Sequence, residues 1–86
     1  MRFQGALIKE QGQTFAIVIV KPQVIQLQSE ANKAREAFTT VFSNMPIILM
    51  AQNGRGIPTY QGRPDIVKFL ANINPGRIPW KEYSYA

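Results

Sequence analysis

Phe15-Ala16-Ile17-Val18-Ile19-Val20 is an uninterrupted apolar run rich in β-branched side chains, and it constrains the fold more than any other segment of the chain. Successive side chains of a strand point to opposite faces, so a run with no polar residue on either side needs apolar cover on both. Thr14 to Val20 is therefore expected as a central strand of a sheet. Ahead of it, Phe3 to Glu10 carries Ala6, Leu7 and Ile8 into a Gln11-Gly12-Gln13 break, which suits a tight antiparallel hairpin. Pro22 has no backbone donor and stops the second strand, leaving Gln23 to Gln28 as a connector.

From Ser29, a good N-cap residue, the apolar positions Ala31, Ala34, Phe38, Val41 and Phe42 fall on one helical face, predicting a helix to about Ser43. Glu30, Lys33 and Glu36 lie on its other face and read as a solvated surface. Pro46 precedes a second continuous apolar run, Ile47 to Ala51. If the strands on either side of this helix share a sheet, they are expected to be parallel and joined by a right-handed crossover. Asn53-Gly54-Arg55-Gly56 has the chemistry of a tight turn, and Ile57 to Tyr60 returns as a strand that Pro58 confines to an edge. Pro64 opens a second helix, Asp65 favours its first turn, and Ile66, Phe69, Leu70 and Ile73 form its apolar stripe, ending at Asn74-Pro75-Gly76. The expected fold is a single α/β domain of the α+β kind, spanning residues 1–86: a small mixed four-stranded sheet with two helices, in the order β-β-α-β-β-α. Ile78, Trp80, Tyr83 and Tyr85 make the remaining tail apolar enough to pack against the domain or a neighbour.

With 86 residues there is room for one core, and a chain this short buries only about 60 to 65% of its unfolded surface. The sequence contains neither Cys nor His, which excludes disulfide staples, thiol chemistry, histidine catalysis and structural zinc sites of the usual kind. A well-packed core or oligomerisation remains as the source of stability. The lack of Cys points to a reducing, cytoplasmic setting, and the apolar runs are too short for a signal sequence or a membrane span.

Met45 to Ile73 resembles the last third of a thioredoxin-like domain. Pro46 opens a strand, Gly54 sits in the reversing turn, and Gly62 ends the return before Arg63-Pro64-Asp65-Ile66-Val67-Lys68-Phe69-Leu70. The family's redox activity depends on a Cys pair that this chain lacks, so the resemblance does not extend to thiol-disulfide exchange. It implies a groove for extended peptide bordered by a cis proline at Met45-Pro46. An ordinary trans proline at the strand start is the alternative, since cis X-Pro bonds make up only about 5 to 6% in folded proteins.

Five acids, Glu10, Glu30, Glu36, Asp65 and Glu82, offer no convergent pair, so no catalytic residues, metal ligands or cofactor are expected. The expected function is a non-catalytic module that binds a protein partner or forms a homo-oligomer, with no membrane role. Tyr60, Arg63, Trp80 and Tyr83 are its candidate contact residues. The net charge of +5 keeps nucleic acid open as a second class of partner. In that reading Arg55 and Arg63 flank the 53–63 hairpin and Tyr60 offers a stacking surface, though the basic residues are dispersed and binding would be electrostatic.

Overall fold

A computed structural model describes residues 2–10 and 12–84. Strands β1 (Arg2–Glu10) and β2 (Gln13–Ile19) pair antiparallel, with Gly5 opposite Val18 and Glu10 opposite Gln13. Two helices follow, α1 (Pro22–Gln26) and α2 (Gln28–Phe38). Strand β3 (Ile47–Gln52) then returns parallel to β2, and β4 (Pro58–Gln61) pairs antiparallel with β3. Helix α3 (Pro64–Leu70), a short 3₁₀ turn (Pro75–Arg77) and β5 (Lys81–Ser84) complete the chain. The result is an α+β domain with the sheet order β4-β3-β2-β1-β5.

The β-β-α-β-β-α order predicted from sequence is present, and the tail extends it. Lys81 to Ser84 adds a fifth strand antiparallel to the first half of β1, from Arg2 opposite Ser84 to Gly5 opposite Lys81. Tyr85 lies outside the described residues.

Three details of the helical segment differ from expectation. Residues expected as a connector form α1, because Pro22 sits at the first helical position, where its missing N–H costs nothing. Leu27 is extended (φ −116°, ψ 131°), separates the two helices and serves as the N-cap of α2 in place of Ser29. At the other end α2 stops at Phe38 and does not reach Ser43. Thr39 and Thr40 donate their hydroxyls to the carbonyls of Glu36 and Ala37 (2.6 and 3.1 Å), the local bonding that draws such residues out of helices. Met45-Pro46 is a trans peptide bond, so the cis proline implied by the resemblance is not found.

The sheet is covered on both faces, as the β2 run requires. Ala6, Phe15, Ile17, Ile48 and Met50 face one side, where Ile66, Leu70 and Ile78 close over them. Ala16, Val18, Ile47 and Leu49 face the other, under Ala31 and Phe42. Ile17, Val18, Ile48 and Leu49 are fully buried, and burial of such a side chain contributes about 1.5 to 3 kcal/mol. The second core ends in an aromatic group: Phe3 stacks on Tyr83 (5.4 Å, 14°), and Phe42 meets Tyr83 edge-on (5.1 Å, 80°). Gly5 lies beneath these rings, and a Cβ there would sit 2.7 Å from the Ile17 carbonyl oxygen, so the close approach requires glycine. Among the described residues, no helix is long and apolar enough to cross a membrane.

Candidate binding surfaces

The structure distributes the five residues singled out from the sequence over separate parts of the domain. Arg55 occupies the β3–β4 turn, which the Asn53 side chain shapes by accepting from the N–H groups of Arg55 and Ile57 (2.8 and 3.1 Å). Arg63 stands beyond the far end of β4, so a strand separates the two arginines. Its guanidinium grips Asp65 through Nε and Nη2 (2.7 and 2.8 Å), and that hydrogen bonding holds the Asp65 carboxyl below the usual carboxylate range. Tyr60 packs against the α3-side core, and its hydroxyl is buried with no hydrogen-bond partner among the described residues. Burial pushes its pKa above the ordinary tyrosine value. Trp80 packs on the same core and donates from Nε1 to the Pro75 carbonyl (3.0 Å), whereas Tyr83 packs on the opposite face of the sheet. Trp80 and Tyr83 thus fold back onto the domain and do not share a surface.

The edge of the sheet next to β5 is only half covered. Strand β5 pairs with Arg2 to Gly5, while among the described residues Leu7 to Glu10 has β2 on one side and no strand on the other. Ala6, next to the end of the β5 pairing, is fully buried, and Leu7, the first residue of the open stretch, is 45% exposed. At the opposite sheet edge, Pro58 in β4 removes a donor and blunts pairing. Among the described residues β1 carries no such block.

A polar network joins α2 to the other end of the sheet. Arg35 donates from Nε to the Ile47 carbonyl (2.9 Å), from Nη1 to Asn32 Oδ1 (3.1 Å), and from Nη2 to the Gln61 carbonyl (3.2 Å) and to Gln61 Oε1. A guanidinium only donates, so Gln61 must turn its oxygen toward it and its amide nitrogen toward Gln28. Gln61 Nε2 duly donates to Gln28 Oε1 (3.2 Å), and Gln28 Nε2 to Asn32 Oδ1 (3.0 Å). One arginine thereby sets the orientation of three amides. Among the described residues it has no carboxylate at salt-bridge distance, and burial lowers its pKa from the ordinary value. Beside it opens a cleft of about 400 Å³ lined by Gln28, Pro46, Gln61, Gly62 and Arg63 as well as Arg35.

No family model, curated protein or solved structure matches this chain. Its functional reading therefore rests on its own geometry. Arg35, Gln28 and Gln61 were not among the site residues expected from sequence, yet Arg35 carries a legible signal. It lies four residues after Ala31 and three before Phe38, which places a charge within the apolar stripe of α2. Gln61 has no comparable mark, because its role depends on where β4 ends.

Proposed function

We propose that this domain is a non-catalytic self-association module in which two copies join through the open half of β1. The observation that carries this reading is the edge from Leu7 to Glu10, unpaired among the described residues, with Leu7 exposed at its start. An open strand edge offers unpaired N–H and C=O groups and is a template for another strand. A second copy is expected in antiparallel register with Ile8 on the two-fold axis, so that Leu7 to Lys9 of each chain lie beside those of the other. Leu7 then lies against the aliphatic stem of Lys9 in the second copy. No like charges face each other in this register, and the two five-stranded sheets become one.

Sedimentation velocity between about 10 µM and 1 mM, a range that reports weak to moderate pairing, tests the proposal. The expected result is a concentration-dependent dimer. Leu7→Lys places like charges directly opposite each other across the axis and is expected to give a monomer. The double change Leu7→Lys with Lys9→Glu places opposite charges there and restores the dimer. A parent protein that stays monomeric throughout, or a Leu7→Lys variant that still dimerises, would overturn it.

A further inference from the structure

We infer that the cleft beside Arg35 is a binding site for a small oxyanion, a phosphate or carboxylate group, held by Arg35 and Arg63. The guanidinium of Arg35 has five N–H groups, of which four are engaged, and one on Nη1 remains. Each amide nitrogen of Gln28 and Gln61 uses one of its two hydrogens in the network and keeps the other. Arg63 uses Nε and Nη2 on Asp65, which leaves Nη1 uncommitted. Asn32 Oδ1 takes two hydrogen bonds from these side chains, while the side-chain oxygens of Gln28 and Gln61 and the carbonyls of Ile47 and Gln61 each take one and can accept a second. The asymmetry is one of charge: two of the donors left around the cleft are cationic, and none of the acceptors is anionic.

No carboxylate lines this cleft, whereas the neighbouring cleft of about 310 Å³ contains both Glu10 and Asp65 alongside Arg63 and is balanced internally. A third cleft, between α1 and the end of β3, carries amides such as Gln26 and Asn53 but no charged residue. A partly buried guanidinium without a counter-ion gains most from an anion that supplies one, and its planar donor fork suits an oxyanion. Gly62, which lines the cleft, packs so closely on the sheet that a Cβ there would come within 2.6 Å of Ile48 Cδ1.

The test is an NMR titration of the whole chain at pH 7, following backbone amides and arginine Nε–H signals. Inorganic phosphate and acetate serve as separate probes, each compared with chloride at equal ionic strength. The expected result is a saturable shift, at about 1 to 10 mM, confined to the Arg35 Nε–H and the amides near Gln61 and Gly62. Saturation by phosphate alone assigns a phosphorylated ligand, and saturation by acetate as well assigns carboxylates to the site. Arg35→Lys keeps the charge but loses the fork, and is expected to weaken binding at least tenfold. Arg63→Gln leaves the Arg35 network intact and is expected to weaken it several-fold, so a folding defect at position 35 does not block the test. Linear shifts spread over all basic residues, or unchanged affinity in Arg63→Gln, would overturn the proposal.

Discussion

Tyr60→Phe should make the domain more stable, because it removes a buried hydroxyl for which the structure provides no partner. Leaving such a group unpaired costs about 1 to 3 kcal/mol, while phenylalanine preserves the ring that packs on the α3-side core. A gain of about 1 kcal/mol is expected, which in a domain of this size raises Tm by about 4 to 8 °C. Thermal and urea unfolding followed by circular dichroism at pH 7 measure it directly. A second arm uses pH. Burial raises the Tyr60 pKa, so the folded state holds the phenolic proton more tightly than the unfolded chain does. The unfolded chain therefore ionises first, and stability falls as pH rises from about 10 toward the raised folded value. That component is absent in the variant, whose advantage over the parent should widen above pH 10. A Tyr60→Phe protein destabilised by about 1 kcal/mol would show instead that the hydroxyl is hydrogen-bonded.

Gly5→Ala forces a Cβ to within 2.7 Å of the Ile17 carbonyl oxygen, on a backbone held between β2 and β5. A loss of about 1 to 3 kcal/mol in urea unfolding is expected, as for overpacked cores. Trp80→Phe keeps an aromatic ring but removes the Nε1 donor to Pro75, and should cost about 1 kcal/mol in the same assay. Asp65 has its carboxyl pKa lowered by the hydrogen bond from Arg63, so its contribution is present above the ordinary carboxylate value of about 3.9 and is lost as pH falls through the lowered folded value. Asp65→Asn should remove that part of the acid dependence, read as a flatter profile of Tm against pH in the acid range.

The elements that were legible in the sequence are those whose apolar pattern is dense. Phe15 to Val20 and Ile47 to Ala51 read as doubly covered strands, and both lie in the interior of the sheet. The fifth strand was hidden because Lys81-Glu82-Tyr83-Ser84 has a single apolar side chain, and its register is set by Tyr83 stacking on Phe3 across the sheet. The same alternation explains why the aromatic tail offers no common patch: Trp80 and Tyr83 lie three residues apart and turn to opposite faces. The α2 boundaries were obscured by backbone bonding from Thr39 and Thr40, which competes with an apolar pattern that continues to Phe42. Arg55, Tyr60 and Arg63 looked adjacent along the chain, yet a strand of four residues between the arginines places them at opposite ends of β4.

Arg35 presents the sharpest question, because its network both fastens α2 to the sheet and supplies donors to the cleft. Fastening alone does not call for arginine. An apolar residue in that stripe would contribute packing without the desolvation of a charge, and such replacements of buried ionic groups are often neutral or favourable when every partner is replaced too. Arg35→Met replaces only one side of the network. It leaves the Ile47 and Gln61 carbonyls and the Gln61 Oε1 without these donors, at about 1 to 3 kcal/mol for each that stays buried. A variant that also changes Gln61 to Leu removes two of the dependent side-chain groups and should recover part of that loss, while the oxyanion response stays absent. Recovery of stability without recovery of binding would separate the two roles. A double variant that still gave the saturable phosphate shift would move the site away from Arg35.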